Sequence, residues 1–292
     1  MDRLLHVEIE LGQARALVAE TTELVREAQR LHGLSHTAAA ALGRALTGAV
    51  LLGCLQKNQQ DRLTLTFRGD GPLSPVVCVA DGQGRVKGCL ENPQLELPLK
   101  PNGKLDVGGG VGHTGRLTVV RDLGLKEPYV GQTNLSSGEI AEDLALYLTA
   151  SEQTPSLVAL GVRLEKGVVC AAGGVLVQPL PGCTEEVLQR LEGLAPGLTA
   201  LSDRIAADGS AAALVEDVFA GLDHQVLEEQ QPAYRCDCSR ERIERALLSM
   251  GREELQSLIE EQHGAEVCCH FCDKRYNFTQ QELEGLLRQD PA

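Results

Sequence analysis

Two cysteine pairs stand toward the C-terminal end of the chain, Cys236-Asp-Cys238 and Cys269-His-Phe-Cys272, with thirty residues (239–268) between them. Each pair offers two sulfurs to one centre, and together they supply the four thiolates that zinc takes in tetrahedral ligation. A CxxC segment folds into a tight turn whose backbone amides face the sulfurs, whereas a CxC segment must fold back more sharply. The expected cofactor is one Zn2+ per chain, bound in the reduced form by Cys236, Cys238, Cys269 and Cys272. Cys268 adjoins the second pair and would make a CxxxC with Cys272, so it is a possible substitute thiol, but Cys269 has the better spacing. His263 and His270 fit surface roles or positions behind the ligands.

Such a site has two chemistries. It can be a permanent clamp, because metal binding is folding free energy in a module of fewer than sixty residues. It can also be a redox centre, because zinc holds sulfur as thiolate, the form that oxidants attack. Spacing alone leaves both open.

The elements that must position these residues can be read around them. Ser239 caps a helix to about residue 250, Gly251 breaks it, and 253–261 forms another. Residues 267–278 read as a hairpin with the CxxC at its turn, and Thr279-Gln-Gln-Glu282 opens a last helix through a capping box. Upstream, Ser35 caps a buried helix to about residue 57, and 62–68 alternates as a strand. A hairpin follows at 76–80 and 85–90, a capping box at Ser136 and Glu139, and two apolar strands at 156–164 and 167–178 around Lys166-Gly167. Gly110, Gly112 and Gly115 have dinucleotide-fingerprint spacing, but the alternating 116–121 after them reads as a strand, so a glycine-rich turn is expected. The fold class is therefore α+β: an antiparallel-sheet core domain with packed helices (1–178), a helical linker (179–233) and a zinc module (234–292). The linker holds three short helices that need packing to persist, and it reads either as a permanent subdomain or as a conditional fold.

Charge narrows the partners. The chain of 292 residues carries a formal net charge of -14, of which -8 falls on 179–233 and -4 on 234–292. No segment is basic, and only 3% of residues are aromatic, with no Trp. Phosphate tracking and base stacking are thus poorly served. The alternative function, a zinc-ribbon nucleic-acid binder, would have to rely on arginines interleaved with acids. No HExxH, GxSxG or Walker loop appears, and the CxxC lacks a thioredoxin-like context, so no enzyme is expected. The N-terminal residues have no secretory h-region and the chain has ten cysteines. The expectation is a cytoplasmic location, no membrane partner and free or metal-bound thiols. Cys54, Cys78, Cys89 and Cys170 are expected as buried, inert thiols, with Cys183 left open.

Cys236-Asp-Cys238 with Cys269-His-Phe-Cys272 resembles the zinc module of the thirty-three-kilodalton bacterial heat-shock proteins, redox-regulated holdase chaperones. The resemblance extends to Phe67-Arg-Gly-Asp-Gly-Pro72, Leu123-Gly-Leu-Lys-Glu-Pro-Tyr129, Ser137-Gly-Glu-Ile-Ala-Glu-Asp143, Ser151-Glu-Gln-Thr-Pro-Ser156 and Ala171-Ala-Gly-Gly174 with Leu180-Pro-Gly182. It implies an ATP-independent chaperone, inactive when reduced and zinc-bound. Oxidation would pair Cys236 with Cys238 and Cys269 with Cys272, release zinc, unfold the linker and give a homodimer that binds unfolded or oxidatively damaged client proteins. Cys268 departs from the family pattern and puts in doubt the uniqueness of the second disulfide.

Overall fold

The stretch after Ser35 is built from Ala, Gly and Leu with no continuous polar stripe, so a helix there needs cover on every side. It has that cover: in the helix His36–Gly53 only His36 and Arg44 are not buried, and the Ser35 hydroxyl accepts the Ala38 amide at its start. The computed structural model describes residues 1–208 and 210–289 and divides into two compact units, Met1–Arg235 and Cys236–Ala292.

The first unit begins with strands β1 (Arg3–Ile9) and β2 (Ala14–Glu20), then helices α1 (Thr22–His32) and α2 (His36–Gly53). Strands β3 (Arg62–Arg68), β4 (Val76–Asp81) and β5 (Arg85–Leu90) follow, then α3 (Val107–Val111), β6 (Arg116–Asp122), β7 (Tyr129–Asn134) and α4 (Ala141–Ala150). Next come β8 (Leu157–Glu165), β9 (Val168–Pro179), α5 (Glu185–Glu192), α6 (Ala195–Leu198), α7 (Leu201–Asp208), α8 (Ala211–Val218), β10 (His224–Gln230) and β11 (Ala233–Tyr234). They form a five-stranded sheet, β10-β1-β2-β9-β8, and a six-stranded sheet, β11-β5-β4-β3-β6-β7, antiparallel throughout except where β11 joins β5.

Period-2 alternation along these strands gives each sheet two unlike faces. Leu42, Leu46 and Val50 of α2 share one core with Leu65, Phe67 and Cys78 of the larger sheet and Leu17 and Leu176 of the smaller. On the other face of the smaller sheet, Leu5, Val7, Val18 and Val175 meet Leu191, Leu201, Ile205, Leu214 and Phe219. The short helices of 179–223 thus find the packing they require as a layer on that sheet. Among the described residues no helix is long and apolar enough to cross a membrane.

Three local expectations are corrected. Residues 224–230 form β10, for which His-Gln-Val-Leu-Glu-Glu-Gln carries no alternation; the strand exists because β1 offers it an edge. Ser136 and Glu139 make no capping box. Glu139 is drawn instead to Arg44 (2.6 Å), Lys100 and the Gly108 amide (3.1 Å), while Asp143 accepts the Ser136 amide at 2.6 Å. The glycine-rich segment begins as the helix α3, with Asp106 accepting the Gly109 amide at 2.9 Å.

Those glycines are there for backbone proximity. A Cβ on Gly112 (φ 96) would lie 2.2 Å from the Gly71 nitrogen, whereas one on Gly103 (φ 78) meets nothing within 4 Å. Gly112→Ala therefore combines a left-handed penalty with a backbone clash, and should cost about 3 kcal/mol or more. Gly103→Ala should cost only about 1 kcal/mol. Urea denaturation of the two variants measures the difference.

The second unit holds α9 (Arg240–Ser249), α10 (Arg252–Gln262), β12 (Gly264–Cys268), β13 (Arg275–Thr279) and α11 (Gln280–Gln289). The Ser239 hydroxyl accepts the Arg242 amide, and Thr279 and Glu282 exchange side chain-to-amide bonds as a capping box. Leu247, Leu255, Ile259, Tyr276, Phe278 and Leu283 form its core.

Candidate metal centre

The β12–β13 hairpin brings the second cysteine pair to its tip. The Cys269 carbonyl accepts the amides of Cys272 (3.2 Å) and Asp273 (2.8 Å), and Asp273 takes a left-handed φ of 58. The turn closes where the Cys269 amide donates to the Lys274 carbonyl at 3.0 Å. The first pair precedes α9, with Asp237 between its cysteines tied to Arg242 at 2.5 Å.

Sulfurs of Cys236, Cys238, Cys269 and Cys272 lie within 4.8 Å of one another. Cys236 approaches Cys269 at 3.7 Å and Cys238 approaches Cys272 at 3.4 Å. A tetrahedron with metal–sulfur bonds of about 2.3 Å has edges of about 3.8 Å, whereas a disulfide would bring two sulfurs to about 2.05 Å. None of the ten cysteines is joined in a disulfide. Soft donors at tetrahedral-edge spacing fit a metal ion, and the four residues could hold one.

Electrostatics agree with that fit. Burial raises the Cys236 thiol, and burial, helped by the Cys238 and Cys269 thiols, raises Cys272 to about 11. Burial also acts upward on Cys238, but the hydroxyl of Tyr276, donating at 3.1 Å, and the neighbouring thiols outweigh it and bring Cys238 below its ordinary value. The Tyr276 hydroxyl thus favours the thiolate form of Cys238, whereas burial works against it at Cys236 and Cys272, where a cation would supply the compensating charge.

Tyr276 escaped the sequence reading, although the alternation of Arg275-Tyr-Asn-Phe-Thr279 turns Tyr276 and Phe278 inward together and leaves a phenol among thiols. Its hydrogen bond orients the Cys238 sulfur, one of the four that could hold a metal ion. Tyr276→Phe should weaken metal affinity by about tenfold to a hundredfold, measured by competition with a chromophoric chelator.

The other candidates lie outside the cluster. Cys268 donates to Asp273 at 2.9 Å, and that carboxylate, with some burial, pushes its thiol up to about 11. His263 closes α10 in a left-handed conformation, and His270 is exposed. Cys54 and Cys78 are buried, and burial raises Cys54 to about 12. Cys89 and Cys170 are only half-buried, contrary to expectation. Cys89 stands opposite Val77, on the sheet face away from Cys78, and the Cys170 thiol faces the Arg163 carbonyl at 3.4 Å. Cys183, half-buried, faces the Thr184 carbonyl. Three of the arginines that a nucleic-acid binder would turn to phosphate are engaged with acids: Arg240 with Glu282 (2.6 Å), Arg242 with Asp237 (2.5 Å) and Arg275 with Glu266 (3.0 Å).

Fold and site define a two-unit α+β protein whose C-terminal unit gathers four thiols into a metal-type centre. The family model described as Hsp33 protein matches residues 2–279, and the chain belongs to the Hsp33 family. It is 49% identical over 286 residues to the 33 kDa chaperonin of Geobacter sulfurreducens, covering 98% of this chain and 94% of that one. It is 44% identical over 290 residues to the 33 kDa chaperonin of Clostridium perfringens strain SM101, covering 99% and 92%. The fold matches the crystal structure of the 33 kDa chaperonin (heat shock protein 33 homolog) of Thermotoga maritima with a TM-score of 0.89 at 36% identity, over 98% of each chain.

Proposed function

We propose that the chain is an ATP-independent chaperone of the holdase type, acting in the cytoplasm, whose hold on unfolding proteins is switched on by oxidation of the four-thiol centre. The observation that carries this reading is the convergence of Cys236, Cys238, Cys269 and Cys272 at tetrahedral-edge spacing, in a chain whose relatives are named 33 kDa chaperonins. Zn2+ bound by these four residues would neutralise their thiolates and tie the start of α9 to the β12–β13 hairpin.

Oxidation removes that tie. Two thiolates give two electrons to one peroxide, the S–S bond forms, the O–O bond breaks, and two protons complete two waters. Two peroxides convert all four thiolates to the pairs Cys236–Cys238 and Cys269–Cys272, which have no charge left with which to hold a cation. In the folded unit the recorded sulfur contacts run across the two motifs, so pairing within each motif requires the turns to rearrange. Oxidation and local unfolding then favour one another. Cys268, with its thiol near 11, is mostly protonated at neutral pH and slow to exchange.

The linker reading of 179–233 extends this. Loss of folding in the second unit frees the chain after Arg235, and the α5–α8 layer then leaves apolar sheet surface for clients. The freed form is expected to dimerise.

The test uses the purified full chain. Reduced, it should carry one zinc and leave a heat-denatured client free to aggregate. After peroxide at raised temperature it should carry none, show the two disulfides by mass mapping, sediment as a dimer and suppress light scattering by the client. Equal suppression before and after oxidation would sink the reading.

A further inference from the structure

Strand β10 is an unusual closing strand. Its burial runs from half-buried at each end to exposed in between, with Val226 and Leu227 facing solvent, and among the described residues it contributes no apolar side chain to either core of its unit. Its partner is the opposite: Leu4, Leu5, Val7 and Ile9 of β1 are all buried, Leu4 in the inner core and the other three in the outer.

The pairing is also imperfect. The register shifts between His6 and Val7. Two buried polar atoms on this ladder, Nε2 of His6 and Oε1 of Gln230, find no hydrogen-bond partner among the described residues. Side-chain help comes from the half-exposed ion pair of Arg3 with Glu229 at 3.4 Å, and from the strand's start, where His224 leans on Phe219 of the outer layer. What holds 225–230 in place is therefore chiefly main-chain pairing. A strand held in that way has little sequence requirement, and any extended segment could supply the same bonds.

We propose that the outer edge of β1, covered in the reduced chain by β10, is a client-binding edge. When β10 peels away, an extended segment of an unfolding protein adds to β1 as an antiparallel strand in its place. This rests on the holdase reading above and specifies the surface by which that activity grips. A freed edge with apolar residues on both sides is the feature that folded proteins ordinarily conceal, because it recruits other chains. Main-chain bonds give hold without selecting sequence, and alternate apolar side chains of the client fall beside Leu5, Val7 and Ile9 once the outer helices loosen. The acidic pair Glu228 and Glu229 leaves with β10, so an incoming segment meets an edge that carries Arg3.

Amide hydrogen exchange on the full-length protein tests this, read by mass spectrometry in three states: reduced with zinc, oxidised, and oxidised with a chemically unfolded client. In the first state β1 and β10 should both be protected. In the second, amides of both should exchange roughly tenfold faster or more, an opening of about 1.4 kcal/mol or greater. In the third, β1 should regain protection while β10 does not, with the β2–β9 ladder protected throughout.

A client complex that forms without reprotection of β1 overturns the edge and leaves the holdase reading intact. Absence of any complex overturns both. Reprotection of β1 by oxidation alone, in step with dimerisation, assigns the edge to a second copy and overturns the proposal. A variant separates release of β10 from release of metal. Gln225→Thr with Glu228→Thr raises the strand propensity of β10 without adding a large apolar surface. It should slow client capture roughly threefold or more while zinc release stays at the rate of the parent chain; capture at the parent rate counts against the proposal.

Discussion

Chelating a metal from the four-thiol centre of the reduced protein is expected to unfold the second unit while the β2–β9 ladder of the first stays folded. Among the described residues, the core cluster of the smaller unit holds six buried side chains, Leu247, Leu255, Ile259, Tyr276, Phe278 and Leu283, with partly buried residues such as Ile243, Leu258 and Leu286 packed against it. A core of that size in fewer than sixty residues falls below what ordinarily sustains a fold without a staple. Structural zinc in comparably small modules is worth about 10–16 kcal/mol at neutral pH, far more than any one side chain there. The expected record is loss of amide protection in α9, α10 and α11, with the β2–β9 ladder unchanged. Cys272→Ser should reproduce it at ordinary zinc concentrations. Protection surviving in α10 and β13 after complete chelation would show that the apolar core alone sustains the unit.

Phe219→Ala is expected to give a chain that holds clients without oxidant. Phe219 is fully buried at the end of α8, where it joins Leu214, Val215 and the outer face of the small sheet, and His224 of β10 leans on its ring. Truncating a buried Phe costs about 3–5 kcal/mol, in transfer free energy and in the cavity left behind. The helices it anchors are short, eight residues each in α7 and α8, and cannot persist unpacked. The loss falls on that layer, so its local opening should rise by about a hundredfold or more. Reduced, zinc-loaded Phe219→Ala should suppress client aggregation, with accelerated exchange in α8 and the metal retained. A variant that opens α8 yet leaves clients to aggregate would separate the outer layer from client binding.

The sequence carried most of the architecture because most elements obey local rules. Ser35, Ser239 and the Thr279–Glu282 pair cap the helices assigned to them, and strand β3 coincides with the alternating 62–68. The four clustered cysteines were legible for the same reason: two short spacings on a turn and ahead of a cap leave few ways to place the sulfurs. The misses share another cause. Glu139 could serve as a cap or as the partner of Arg44, and only tertiary contact decides between them. β10 has no pattern of its own and takes its structure from the edge of β1. Tyr276 was hidden because its inward turn is common to any strand with a core, and its phenol matters only where Cys238 lies beneath it.

The small sheet acts as a partition. Consecutive residues of one strand report to different compartments: Leu17 belongs to the core around α2, and Val18 to the layer under the short helices. Material removed from one side leaves the packing of the other largely untouched, so the outer compartment can be emptied while the inner one keeps its contents. A chain partitioned in this way can yield the smaller, outer part of its interior and still return to its starting state, because the paired strands β1, β2, β9 and β8 remain as the wall that guides the missing part back into place.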